Sequence, residues 1–275
     1  MPVRLDRALI RVSGADATSF LDNLLTQDVE KLAQAGVLYG ALLTPQGKIL
    51  ADMLLWRDDD GVILETDRSR GADLMGRLSM YRLRADVALE DVTDRFPVLF
   101  AEKAFAGAVA DPRFPDGALG YREVNSSPPE QDTVDANTAF DARRIALGVP
   151  DLARDAAPEE VFALEGLLEE LNGVDFQKGC FVGQENVSRM KRRATTRKKF
   201  CPIVFDGAPP AYGAKIIAGV AELGSVRSGV EGRAIALLRL DRALAAADAG
   251  ASLTADGKDV RLDPPPWLLL PARDA

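Results

Sequence analysis

The stretch Lys178-Gly179-Cys180-Phe181-Val182-Gly183-Gln184-Glu185 gathers one of two cysteines, two glycines and three polar side chains into eight residues, in a 275-residue sequence without histidine. Gly179 and Gly183 permit backbone angles, or a close ligand approach, that other residues resist. A thiol reacts as its thiolate, and Lys178 or Arg189 is placed in the sequence to supply the positive field that favours it. The alternative for Cys180 is a small buried apolar side chain, with the glycines making a turn. Gln184 and Glu185 suit hydrogen bonding to a planar, amide-bearing ligand, and Arg189 would pair with Glu185 if a helix starts there. Without histidine, Ser-His-Asp and Cys-His arrangements and His-containing zinc sites are impossible within this chain. General base chemistry falls to Asp, Glu, Lys or Tyr.

Directly downstream, seven of the eleven residues from Arg189 to Lys199 are Lys or Arg and none is acidic, against a chain total of −8. Such a run suits a polyanion: the glutamate tail of a cofactor, an RNA phosphate or an acidic protein. It equally describes a solvated loop between domains. Upstream, Pro158 beside Glu159 and Glu160, an apolar face of Val161, Leu164, Leu168 and Leu171, and Gly173 as C-terminal cap predict a helix that delivers the chain into the octet.

Further out, Ala17, Phe20, Leu21, Leu24 and Leu25 predict a helix at about 15–26. Val37–Leu43 and Lys48–Trp56 form strand-like runs about Pro45-Gln46-Gly47, a hairpin. A strand at 62–65, a helix at 68–82 and strands at 85–91 and 96–101 follow, then a loop at 125–135 and a helix at about 133–146 that stops at Gly148 and Pro150. Helices among hairpin-linked strands indicate an α+β region with antiparallel sheets. Beyond residue 197, about six short apolar strands divided by Gly- and Pro-rich turns predict a small β-barrel. The expected organisation is therefore 1–196, in two α+β subdomains, and 197–275 as the barrel.

An apolar content of 47% supports one large or two to three small cores. The net negative charge argues against a surface that coats nucleic acid or anionic membrane as a whole. No secretory signal or membrane-length apolar stretch is evident, and two cysteines make no secreted-type framework, so a soluble, cytoplasmic setting without membrane contact is expected. Cys201, inside a predicted strand, reads as core. Two cysteines and no histidine cannot complete a four-ligand zinc or iron–sulfur site, so no permanently bound metal is expected. Asp52, Asp91 and Asp94 are candidate carboxylates for one-carbon chemistry, though acids in such places are more often turn or surface residues.

The octet followed by Arg189 closely resembles the YgfZ-family signature, K-G-C-[FY]-x-G-Q-E with an Arg shortly after. Val12-Ser13-Gly14-Ala15-Asp16 with Phe20-Leu21, Pro45-Gln46-Gly47-Lys48, Tyr81-Arg82-Leu83-Arg84, Arg144-Ile145-Ala146-Leu147-Gly148-Val149-Pro150 and Gly224-Ser225-Val226-Arg227-Ser228 look like that family's landmarks in order. The resemblance implies a fold shared with the glycine-cleavage T-protein (GcvT): a folate-binding region around a central cavity and a C-terminal barrel. It implies a partner set of iron–sulfur enzymes or assembly proteins, including an enzyme that modifies tRNA, and tetrahydrofolate or a derivative as the small molecule bound. Cys180 would be the functional thiol, with Lys178, Gly179, Gly183, Gln184, Glu185 and Arg189 as its supporting, cofactor-binding loop.

A true tetrahydrofolate-dependent aminomethyltransferase is the competing reading, and whether the chain is an enzyme at all is open at this point. The T-protein's own hallmark, Arg-x-Gly-Tyr-Thr-Gly-Glu, is not matched; Gly120-Tyr121-Arg122-Glu123 is the nearest approach. This favours an accessory protein over the transferase. A direct tRNA contact through 189–199 is the third option, and no aromatic residues are interleaved there for base stacking.

Overall fold

The computed structural model describes residues 2–124, 136–193 and 196–271. The chain divides into two compact units, one built from residues 1–140 and 171–184, the other from 141–170 and 185–275.

In the first unit, β1 (Val3–Leu5) and β2 (Arg7–Ser13) precede α1 (Ala17–Leu24) and a one-turn α2 (Leu32–Ala35). The hairpin β3 (Val37–Leu43) and β4 (Ile49–Asp58) turns at Gly47, whose φ of 83° is the left-handed conformation expected of that glycine. Then come β5 (Gly61–Asp67), α3 (Gly71–Arg82), β6 (Ala88–Asp91), β7 (Val98–Ala101), β8 (Val109–Ala110) and β9 (Tyr121–Val124). All pairings are antiparallel, in a five-stranded sheet ordered β3-β4-β5-β2-β6 and a four-stranded sheet ordered β1-β7-β9-β8. Ile10, Leu21, Leu25, Leu42, Leu55, Leu64, Leu74 and Leu78 form the core beneath the larger sheet, packing one face of α1 and α3 on alternate strand residues.

Charge is buried inside this unit as well. Glu65 accepts from Trp56 Nε1 at 2.9 Å, Arg7 Nε at 3.1 Å and Arg122 Nη1 at 2.5 Å. Arg122 Nε reaches Asp111 at 2.9 Å, and Arg113 pairs with Asp111 through two bonds of 2.8 and 2.7 Å. Burial alone would raise the Asp111 carboxyl, but Arg113 and Arg122 outweigh it and hold it at about 2. The network ties β5 of one sheet to β9 of the other. Removing one member would leave the rest as uncompensated buried charge.

The second unit follows α4 (Ala136–Leu147), α5 (Leu152–Asp155) and α6 (Gln184–Arg193) with β10 (Lys198–Val204), β11 (Lys215–Ala218), β12 (Ala221–Val230), β13 (Arg233–Arg239), α7 (Leu240–Asp248), β14 (Leu253–Ala255) and β15 (Lys258–Leu262). The six strands close into a barrel, β10-β13-β12-β11-β14-β15, sealed by the β10–β15 pairing. Arg144, fully buried, bonds Asp155 at 3.1 Å and Ser228 at 2.9 Å, which fastens α4 and α5 to barrel strand β12.

One expected element is corrected. Residues 157–172 form a succession of turns, not a helix. Glu159, Leu167 and Asn172 adopt φ of 64°, 63° and 57°, which no α-helix passes through, and the Glu160 and Glu165 carboxylates accept from the backbone N–H groups of Ala157 and Phe162 in local turns. Val161, Leu164, Leu168 and Leu171 are all buried, so the apolar spacing recorded burial, which turns satisfied without a helix. The expected loop at 125–135 and the start of the expected helix after it lie outside the described residues.

Candidate functional site

The return segment that ends in the octet is fixed to the chain just after α1. Thr26 Oγ1 donates to Gly173 O at 2.6 Å, Asp175 N–H donates to Thr26 O at 2.9 Å, and Gln27 Nε2 donates to Asn172 O at 2.8 Å. Lys31 pairs with Asp175. Lys178 completes the attachment: its ammonium donates to Asp22 O at 2.5 Å, Leu25 O at 2.9 Å and Gln27 O at 2.8 Å, and lies 3.0 Å from an Asp22 carboxylate oxygen. A lysine has three N–H donors, and here they meet the Asp22 and Leu25 carbonyls at the C-terminal end of α1, groups left over by the helix and attractive to a cation, and the Gln27 carbonyl just beyond it. Burial pulls the Lys178 pKa down, with Asp22 working against it.

The rest of the octet continues the same construction. Phe181 is buried beneath the Lys178 ammonium, 5.5 Å from its ring centre, and Val182 packs on the core of the larger sheet. Gly183 has φ of 85°, and a β-carbon there would stand 2.6 Å from Thr44 O and 3.0 Å from Gly47 Cα, so only glycine allows the loop to lie against the hairpin turn. Gln184 Nε2 closes the loop on Gly179 O at 3.2 Å. Between these anchors Gly179 and Cys180 are exposed, and a β-carbon on Gly179 would meet nothing within 4 Å. The loop is held on both sides of a thiol that faces solvent.

Lys178, Gly179, Cys180, Gly183 and Gln184 are therefore brought together, while Glu185 is exposed at the start of α6 and Arg189 donates to the Asn186 amide oxygen at 2.5 Å. In the basic run, Lys191 pairs with Glu169 at 2.9 Å and the buried Lys199 with Glu170 at 2.5 Å; Arg192, Arg193 and Arg197 are exposed, and residues 194 and 195 lie outside the described residues. Cys201 sits fully buried in β10, where burial, with Asp263 adding to it, pushes its pKa up to about 12.

The fit to a reduced folate divides the molecule. In the octet, the Lys178 ammonium is taken up by carbonyls at and after the end of α1, Gly183 lies against the hairpin turn, and the Gln184 amide is bonded to Gly179 O. Asp52, on β4, is half-buried and accepts the Tyr39 hydroxyl at 3.0 Å, and a carboxylate of that kind has the acceptor chemistry for an amino-pyrimidinone edge. Asp94 is almost fully exposed beside Arg68, and hydrogen bonding from the Thr93 side chain, then from its N–H, lowers the Asp91 pKa. Sequence reasoning missed Glu65, Asp111, Arg113 and Arg122; a charge inside the apolar run Val62-Ile63-Leu64-Glu65 was the available signal.

Comparison with known proteins places this geometry. A family model described as the GCVT N-terminal domain matches residues 7–101, and one described as the CAF17 C-terminal beta-barrel domain matches 197–269. Aminomethyltransferase T of the Bartonella henselae glycine cleavage system superposes with a TM-score of 0.73 over 97% of this chain and 86% of its own, at 15% identity, a likeness of fold. These define the class: a GcvT-like, mixed α and β protein carrying a six-stranded C-terminal barrel. The human iron–sulfur cluster assembly factor IBA57, mitochondrial, is 31% identical over 245 residues, 76% of this chain and 68% of the relative. The Neurospora crassa IBA57 homolog is 32% identical over 237 residues, 74% of this chain and 54% of the relative, and the Mycosarcoma maydis homolog 31% identical over 74% and 57%. The chain belongs to the IBA57 family of iron–sulfur cluster assembly factors. It spans little more than half the length of those fungal relatives.

The expected cytoplasmic setting is corrected by these relatives, which are mitochondrial by name.

Proposed function

We propose that this chain is an accessory protein of iron–sulfur maturation whose working group is the Cys180 thiol, and that its first unit also binds a reduced folate. The observation that carries the reading is the exposed thiol on a loop pinned by Lys178, Phe181, Val182 and Gly183, in a member of an iron–sulfur assembly family. One thiolate supplies one ligand. An iron–sulfur cluster handled here as cargo takes its other ligands from a partner, because Cys201 is in the barrel core and the chain has no histidine. Lys178 contributes by fixing the loop, and the other anchors keep the sulfur at the surface where a partner's cluster or thiol reaches it.

Folate binding is supported by the GCVT N-terminal match over 7–101 and by the Asp52 carboxylate with its Tyr39 hydroxyl. The likeness of the octet to the YgfZ signature supports a tRNA-modifying iron–sulfur enzyme among the clients. The transferase reading is weaker: residues 118–124 depart from the T-protein hallmark at Ala118, Arg122, Glu123 and Val124, and Arg122, in the hallmark's Thr position, is buried between Glu65 and Asp111. Calorimetry with tetrahydrofolate and 5-formyltetrahydrofolate tests the folate part. The expected result is saturable binding to the wild type, weakened about tenfold or more in Asp52→Asn and unchanged in Cys180→Ser. Absence of binding to folded wild-type protein would remove folate from the reading and leave the thiol role standing.

A further inference from the structure

At the end of α3 six consecutive residues, Ser79 to Arg84, are exposed. Three of them are large and apolar: Met80 is 68% exposed, Tyr81 37% and Leu83 88%. Scattered apolar side chains on a surface are ordinary, but here three stand within four residues. Leu83 also departs from a restful backbone. Its φ of 44° with ψ of −105° is a conformation that glycine takes readily and leucine does not, so a leucine stands where neither burial nor the backbone favours one. The surroundings are cationic. Between Arg68 and Arg84 there are five arginines and one acid, Asp73; Arg77 pairs with Asp73 at 2.9 Å and Arg68 with Asp94 at 3.7 Å, exposed Asp86 follows two residues on, and Arg82 and Arg84 are exposed on either side of Leu83.

Apolar groups framed by arginine, on a chain with a net charge of −8, fit a surface of opposite local sign. A twofold pairing of two copies would set the arginines of one patch against those of the other. An anionic bilayer would be repelled by the chain as a whole. We propose that the Met80–Arg84 edge of α3 is a docking surface for a partner protein with an apolar socket rimmed by Asp and Glu, Leu83 being the inserted knob. Only the cellular readout of this proposal rests on the iron–sulfur reading.

The test expresses full-length Leu83→Gly, Leu83→Asp and Cys180→Ser in cells lacking the endogenous protein and measures iron–sulfur enzyme activity. Thermal midpoints are taken on the purified proteins, and a benzoylphenylalanine crosslinker is placed at position 83. Leu83→Gly relieves the backbone and removes the knob. It is expected to raise the midpoint while partner binding falls about 30-fold, the effect of truncating an interface hot spot, with rescue reduced accordingly. Leu83→Asp is expected to lose rescue at an unchanged midpoint, and the crosslink to land in an Asp- and Glu-rich peptide of one partner. Full rescue by both Leu83 variants overturns the proposal. So does a lowered midpoint with normal function in Leu83→Gly, which would make Leu83 a structural residue. Binding to phosphatidylserine vesicles, or a wild-type dimer, that the variants lose would reassign the edge to a membrane or to a second copy. If Cys180→Ser rescues and the Leu83 variants do not, the thiol reading fails and the docking surface stands; the opposite pattern does the reverse.

Discussion

Cys180 and Cys201 are the same residue twenty-one positions apart, and their surroundings make them chemical opposites. Cys201 occupies β10 between Phe200 and Pro202, with zero exposure, and its thiol stays protonated far into the alkaline range. Cys180 stands on a loop fastened at Lys178 on one side and at Phe181, Val182 and Gly183 on the other, with Gly179 and the sulfur exposed between them. Packing decides the first and anchoring the second. A surface thiol on an unsupported loop would sample many positions, and ordering it at the moment of partner contact would cost conformational entropy. Lys178, Phe181, Val182, Gly183 and Gln184 meet that cost during folding.

The contrast breaks most readily under alkylation. Cys180 is expected to react with iodoacetamide in the native protein at least about a thousandfold faster than Cys201, whose reaction waits on opening of the barrel. Equal rates, read by peptide mass spectrometry, would contradict the burial of β10. Next in size is Lys178→Met, which keeps the volume and leaves three carbonyls and Asp22 without their donor. A loss of about 3 kcal/mol in urea unfolding is expected. Gly183→Ala should cost about 2 kcal/mol or more through its φ and the approach to Thr44 O, whereas Gly179→Ala, with open space, should cost well under 1 kcal/mol.

The two cysteines also part company in pH. The folded Cys201 thiol holds its proton to about 12 against an ordinary 9, so between those values the folded state binds more protons than the unfolded one. Its contribution is complete below pH 9 and is lost as pH rises through that window, by about 1.4 kcal/mol per pH unit at most. Cys201→Ala should flatten that part of the wild-type curve. At the acid end Asp111, held at about 2, contributes stability above about 4 that disappears as pH falls towards 2.

Much of the fold was legible because it rests on local patterns. The hairpin at Val37–Asp58 announced itself by strand residues about Pro45-Gln46-Gly47, and the barrel by short runs with glycine between them. The 157–172 segment was misread because helical spacing and burial coincide there, while three left-handed residues none of which is glycine gave no warning. In the site, the octet was found by composition, yet the exposure of Cys180 was not readable. Lys178 looked like a charge for the thiol or for a ligand. Its partners are backbone carbonyls more than 150 positions away, and carbonyls leave no trace in residue identity. The Glu65–Arg122–Asp111 network was hidden for the same reason, since its members lie on strands whose neighbourhood only the folded sheets create.

The most direct test of the central claim is rescue of iron–sulfur enzyme activity, in cells lacking the endogenous protein, by Cys180→Ser beside Cys201→Ala at matched protein levels. The account predicts no rescue by Cys180→Ser, despite an unchanged thermal midpoint, and rescue by Cys201→Ala. Full rescue by Cys180→Ser would contradict it.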